Sequence, residues 1–382
     1  MVNMTPRERA ISAIEHNNPD RVPLDMTICE EPYMKLLEYF GIDKSNILGG
    51  DKWGEILMIP ELAKALGIDF LYIKSKKPQN HNQSKNISAD LSTDEWGVVR
   101  KKVQLRDGSY YWNIVHHPLK ESRIEDLIDF PWPNPDDEQV CEDLPSEAKH
   151  LYKNTDLCLI GRFGSSIFET AWYMRGFEQF LMDLMINQDF AKVLMEKICS
   201  IQMRIDERCL ELAGKYIQIL KLAGDDLGGQ EGPLISPEIF RQMIKPILCK
   251  RWEVIKSKFR KINPKGYVMF HSCGNIYPII PDFIECGLDI LDPIQKVKGM
   301  EIEKLKAEFG NRLTFHGAID TQYLLPNGSP AEVRSEVKRI INILGKNGGY
   351  IAAPVHNLQA DVPVKNIIAL SDAVRESGNG NY

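Results

Sequence analysis

The chain has 382 residues, of which 43% are hydrophobic and 26% charged, and a formal net charge of −6, a balance that allows a large buried core. Its lysines and arginines are scattered rather than striped, which argues against nucleic acid or an anionic membrane as a partner. No run approaches the ~18 apolar residues of a membrane helix. The opening MVNMTPRERAISAIEHNNPDRVP lacks the apolar stretch of a secretory signal, and the eight cysteines are dispersed, so a cytoplasmic protein with reduced thiols is expected.

Thr5-Pro6-Arg7-Glu8 starts the first predicted helix, with a capping hydroxyl, a proline in the first turn and an acid at the third position. That helix should run to about His16, ahead of the turn at Asn17–Asp20. Arg21–Met26 is predicted as a first barrel strand and Phe70–Lys74 as another, while 78–92, rich in Asn and Ser, is predicted as a loop. Trp96–Val103 and Tyr110–Val115 flank Asp107-Gly108 and predict a β-hairpin inserted at about 94–118. A Pro-rich connector follows at 129–137.

From about 156 onward, short apolar runs alternate with long amphipathic stretches: Leu157–Gly161, Ile217–Leu220, Tyr267–Phe270, Ile290-Leu291, Leu313–Phe315 and Tyr350–Ala353. This cadence predicts parallel strands with crossover helices. No glycine-rich phosphate loop opens a first helix, so the expected fold class is α/β, a (β/α)8 TIM barrel with an N-terminal helical extension and the inserted hairpin. Residues 1–382 are expected to form one barrel domain.

Several strands end in polar tips, which a barrel gathers at one face. The most informative is His271-Ser272-Cys273-Gly274-Asn275. A His and a Cys two apart beyond a buried strand are able to share a metal, and imidazole and thiolate are preferred zinc ligands. The other reading is a buried Cys beside a hydrogen-bonded loop His. His356, after the last strand, is favoured over Cys286 as third ligand, because Cys286 falls at a helix end away from that face. Asp225 and Asp226 are candidates for a general base or a hold on a substrate cation, or one of them caps the next turn. His316 joins them as a catalytic candidate. Gln295, Arg162 and Asp320 are candidates for substrate binding, Arg162 for an anionic group, and Asp320 equally for a helix cap.

TPRERAISAIEHNNPDRVPLD, ETAWYMRGFEQFLMDL from Glu169, GDDLGGQEGPLISPEIFRQMIKP from Gly224, HSCGNIYPIIPDFIECGLDILDPIQ from His271 and FHGAIDTQYLLP from Phe315 together resemble the uroporphyrinogen decarboxylase superfamily over nearly the whole chain. The His-x-Cys-Gly-Asn segment is similar to that of its corrinoid-linked methyltransferases. The resemblance implies a (β/α)8 barrel, a catalytic zinc, and methyl transfer between a corrinoid and a small thiol, folate or methylated substrate. The chain has no Asp-x-His-x-x-Gly segment, so the corrinoid is expected on a partner protein. Two departures stand out. Where the decarboxylase branch resembles itself in an Arg-containing motif, Met26–Tyr33 offers Glu30 and Glu31, which would repel a polycarboxylate. Where thiol-activating relatives place a late cysteine, this chain has Val355-His356-Asn357. A metal-free decarboxylase and a non-catalytic binding protein on the same scaffold remain the alternatives.

Overall fold

The computed structural model describes residues 3–45, 47, 55–79, 86–88, 90–104 and 110–378. The predicted turn at Asp107-Gly108 lies outside them. The first helix, α1 (Pro6–Ile14), forms as predicted. Glu8 N donates to Thr5 Oγ1 at 3.2 Å and Thr5 N donates to Glu8 Oε2 at 2.9 Å, which satisfies two amides that the helix start would otherwise leave unpaired.

Seven parallel strands form one curled sheet: β1 (Phe70–Lys74), β2 (Cys158–Arg162), β3 (Ile219–Gly224), β4 (Tyr267–His271), β5 (Ile290–Ile294), β6 (Thr314–Ile319) and β7 (Tyr350–Pro354). Each lies beside its neighbour in sequence. The eighth position is filled by residues around Leu24, whose bridge to Ala352 is parallel. On one side Asp25 N donates to Ala352 O and Ala352 N to Pro23 O, both at 2.9 Å. On the other, Asp69 N donates to Leu24 O at 2.8 Å. The strand expected at 21–26 is thus reduced to a single bridge, because Pro23 has no amide to extend the ladder.

The period-2 alternation of these strands divides the core in two. Leu71, Leu159, Leu220, Val268, Phe270, Leu291 and Phe315 face outward into one large cluster with the helices. Those helices include α2 (Phe168–Arg175), α3 (Gln188–Ala213), α4 (Lys245–Ile262), α5 (Ile280–Glu285), α6 (Ile302–Phe309), α7 (Pro330–Leu344) and α8 (Val364–Glu376). Phe70, Cys158, Ile160, Ile219, Met269, Ile290 and Ile351 face inward and fill the barrel, joined from below by Ala10 and Ile14 of α1. At that amino end, Asp69 carries Arg9 at 2.6 Å and Arg21 at 2.7 Å, and also accepts Leu24 N at 2.7 Å.

The predicted hairpin pairs Val99–Gln104 with Tyr110–His116. It belongs to a four-stranded antiparallel sheet, because short strands at 86–88 and Leu91–Thr93 add to its edge. The loop predicted over 78–92 therefore holds two strands that lack a clear apolar alternation. Trp96, buried beneath the insertion, meets Trp132 of the Pro-rich connector edge-on at 6.4 Å. One cysteine expectation is corrected: Cys249 of α4 and Cys286, directly after α5, are joined as a disulfide. Helices α4 and α5 bring the two together across the outside of the barrel. No helix among the described residues is long and apolar enough to cross a membrane.

Candidate active site

Above the apolar layer, the next inward positions of the strands are polar. The β4–β5 register sets His271 opposite Asp292, and the two strands after β2 and β5 contribute Lys221 and His316. Asp292 is the hub. Its Oδ2 takes Lys221 Nζ at 2.5 Å and His271 Nδ1 at 2.9 Å, and its Oδ1 lies 2.7 Å from His316 Nδ1. The other imidazole nitrogen of His316 meets Asp25 Oδ2 at 2.9 Å, and the Tyr72 hydroxyl donates to that same oxygen at 2.6 Å.

Burial works against the charges of Asp292 and His316, yet their partners prevail. Burial alone would raise the Asp292 carboxyl, but Lys221, His316 and His271 hold it well below the usual carboxylate range. Burial would likewise lower His316, whereas Asp292 and Asp25 push it up to about 9. His316 is therefore an imidazolium at neutral pH, buried between two carboxylates. The layer is not fully paired by hydrogen bonds: Asp25 Oδ1 and His316 Nδ1 have none. The 2.7 Å approach of His316 Nδ1 to Asp292 is close enough for ion pairing but is not directed as a hydrogen bond.

The loops after β3 and β4 complete the site. His271 Nε2 lies 3.5 Å from Asp226 Oδ1, which also accepts Cys273 N at 3.1 Å. One donor atom each from Asp226, His271 and Cys273 lies within 4.8 Å of the other two. Two glycines make this meeting possible. A Cβ at Gly228 would fall 2.5 Å from Cys273 O, and one at Gly274, where φ is +81°, would fall 2.4 Å from Gly228 C. Only hydrogen fits at either position, so the loops touch backbone to backbone. Asn275 N donates across the contact to Gly229 O at 2.7 Å, and Gly274 N donates to Gln295 Oε1 at 2.7 Å.

Cys273 of this trio lines a cavity of about 620 Å³ walled by the loops after β3, β4, β5, β6 and β7. The oxygen, nitrogen and sulfur donors suit zinc, and the open side leaves room for an exchangeable ligand. The composition of the cluster differs from the sequence expectation. Among the described residues it is Asp226, rather than His356, that stands with His271 and Cys273. His356 lines the same cavity but stays exposed at its rim.

The remaining candidates are distributed as follows. The Asp225 carboxylate is buried and accepts the amides of Ile167 at 3.0 Å and Glu169 at 2.9 Å, thereby capping the start of α2. Asp320 similarly accepts the amides of Gln322, Tyr323 and Leu324. Arg162 forms a forked pair with Glu55 at 2.8 and 3.0 Å. Gln295 holds the Gly274 amide and also lines the cavity. His316 sits beneath the trio with only 5% of its surface exposed.

Sequence reasoning passed over four side chains. Asp25 lies inside the run read as the first strand, and Lys221 and Asp292 each directly follow a run read as an apolar strand, although strand alternation would have placed Lys221, His271, Asp292 and His316 on one face. The fourth is Glu169, which opens one of the segments that carry the family resemblance. Burial and the nearby Asp226 and Asp225 carboxylates push its pKa up to about 8, and Tyr173 Oη donates to its Oε1 at 3.1 Å.

A family model described as uroporphyrinogen decarboxylase (URO-D) matches residues 112–377. A methylcobamide:CoM methyltransferase of Methanosarcina barkeri is 25% identical over 193 residues, 49% of this chain and 52% of that protein. A uroporphyrinogen decarboxylase of Actinobacillus succinogenes is 31% identical over 77 residues, 20% of this chain and 21% of that one. The chain thus spans about half the length, or less, of these curated relatives. The solved structure of a methyltransferase from Methanosarcina mazei has a TM-score of 0.64 at 17% identity, covering 98% of this chain and 99% of its own. That likeness shows a shared fold.

Proposed function

The chain belongs to the uroporphyrinogen decarboxylase (URO-D) family, and from that premise we propose that it is a zinc-dependent methyltransferase. It moves a methyl group between a corrinoid carried by a separate protein and a small thiol, folate or methylated substrate. The observation that carries this reading is the meeting of Asp226, His271 and Cys273, the last of which lines the cavity. The likeness to a methylcobamide:CoM methyltransferase supports the same branch.

Asp226, His271 and Cys273 would hold the metal. Zinc there supplies Lewis acidity, lowering the pKa of a bound thiol or water so that a nucleophile exists at neutral pH. The rest is the work of the chain's own groups. Asp292 accepts a hydrogen bond from His271 Nδ1, which fixes the ring and turns the Nε2 lone pair toward the trio. Lys221 and His316 keep Asp292 ionised for that task. Glu169 retains its proton at neutral pH beside Asp226, so the site gains no further negative charge from it. Gln295, by holding the Gly274 amide, keeps the Cys273 loop against the Asp226 loop.

Decarboxylation of a polycarboxylate is less well served. Arg162 is engaged by Glu55, and the segment expected to carry an arginine has Glu30 and Glu31 instead. Metal analysis of the purified protein tests the proposal: one zinc per chain is expected, and it should be lost from His271→Ala and Cys273→Ala. Demethylation of methylcobalamin against a panel of thiols and folates should then follow zinc content. A zinc-free protein that decarboxylates uroporphyrinogen would overturn the reading.

A further inference from the structure

Resting on the reading of this cavity as the methyl-transfer site, we infer that its small-molecule substrate is uncharged or cationic, and not a sulfonate or carboxylate. The wall is rich in carboxamides: Gln230, Gln295, Gln322, Asn357 and Gln359 line it, together with the carboxylate of Asp361. Among the described lining residues there is no lysine or arginine, and His356 is the one basic side chain. A carboxamide offers both a donor and an acceptor, which matches neutral polar partners and supplies no countercharge to an anion.

The cationic side chains nearest the site are already engaged by the protein. Lys221 is held by Asp292 and Arg162 by Glu55. Backbone amides also form anion sites when several point into one hollow, but several of those around this cavity are taken. Cys273 N goes to Asp226, Gly274 N to Gln295, Asn275 N to Gly229 O, and Gly229 N to Gly232 O. The amides of residues 322–324, at the start of the short helix after β6, are taken by Asp320. Those of Ile167 and Glu169 are taken by Asp225. Asp361 meanwhile adds a carboxylate to the lining. Away from the metal position, an anionic group on the substrate would meet no lysine or arginine of the described lining and would face Asp361.

Cys273 allows this to be read without zinc or turnover, because it is partly exposed and lines the cavity. The metal-free protein is treated with methanethiosulfonates bearing a trimethylammonium-ethyl or a sulfonato-ethyl group. Modification of Cys273 is followed by intact mass, with Cys273→Ser as background, and each rate is divided by that for 2-mercaptoethanol. The cationic reagent should be favoured about tenfold at low salt, the size expected of a unit charge at partly screened distances. Asp361→Lys should narrow that ratio severalfold. A sulfonate reagent that reacts as fast as the cationic one, after normalisation, overturns the inference. A protein that passes this test but leaves methylcobalamin intact would instead overturn the methyl-transfer reading, so the two failures are distinct.

Discussion

The barrel holds a charged cluster at each end, and the two are finished differently. At the amino end, both oxygens of Asp69 are occupied by Arg9, Arg21 and the Leu24 amide. Burial would lower the Arg9 guanidinium, yet Asp20 and Asp69 hold it above its ordinary value. At the carboxyl end, Asp292 gathers Lys221, His271 and His316, but Asp25 Oδ1 and His316 Nδ1 have no hydrogen bond. A buried pair that is fully satisfied closes the fold, whereas one that leaves atoms without partners retains polarity that packing alone does not require. The difference teaches which end is scaffold and which end is site.

Four substitutions break or sharpen this contrast. The largest expected effect is at the amino end: Asp69→Ala removes a buried carboxylate shared by two guanidinium groups, one of them buried, and should lower stability by about 3–5 kcal/mol in urea unfolding. Zinc affinity, corrected for the folded fraction, should not change. At the carboxyl end the emphasis reverses. Asp292→Asn should weaken zinc binding about 10- to 100-fold, as read by competition with a chromophoric chelator, at a smaller cost in stability than Asp69→Ala.

His316 gives the contrast a pH dependence. Its folded pKa of about 9 lies above the ordinary 6.5, so the stabilisation it contributes is fully present below about pH 6.5. It fades as pH rises through about 9. The stability gap between the wild type and His316→Asn should therefore shrink by about 3 kcal/mol between pH 6 and 9.5. A gap that is constant across that range would mean His316 is neutral in the fold. The smallest effect is expected at Asp225→Asn. It weakens the cap on α2 and should cost about 1 kcal/mol by thermal melting, with zinc content unchanged. Loss of zinc in that variant would return Asp225 to the site.

How much of this was legible in the sequence depends on the range of the interactions. The strands could be read because apolar runs and crossover helices alternate locally, and the start of α1 because its cap spans four residues. The closing strand was overestimated because Pro23 cuts its ladder to one bridge. His271 and Cys273 were visible because two residues and a strand end bring them together. Asp226 was seen as a candidate, but its partnership with Cys273 spans 47 residues and depends on two loops touching. The third-ligand expectation went to His356, since a nitrogen at the last strand tip is plausible by type. Neither type nor spacing could show that it stays at the rim. Asp292 was hidden for a different reason: a charged residue directly after a short apolar run reads as the end of the strand until the other strands supply its partners.

The contact between Gly228 and Gly274 bears on how such a scaffold can diversify. With no room for a single added carbon on either side, the segment bearing Asp226 and the segment bearing Cys273 are constrained to change together or not at all. New substrate preferences are more readily reached by altering the opposite wall, where Gln322, Asn357 and Gln359 lie outside that contact.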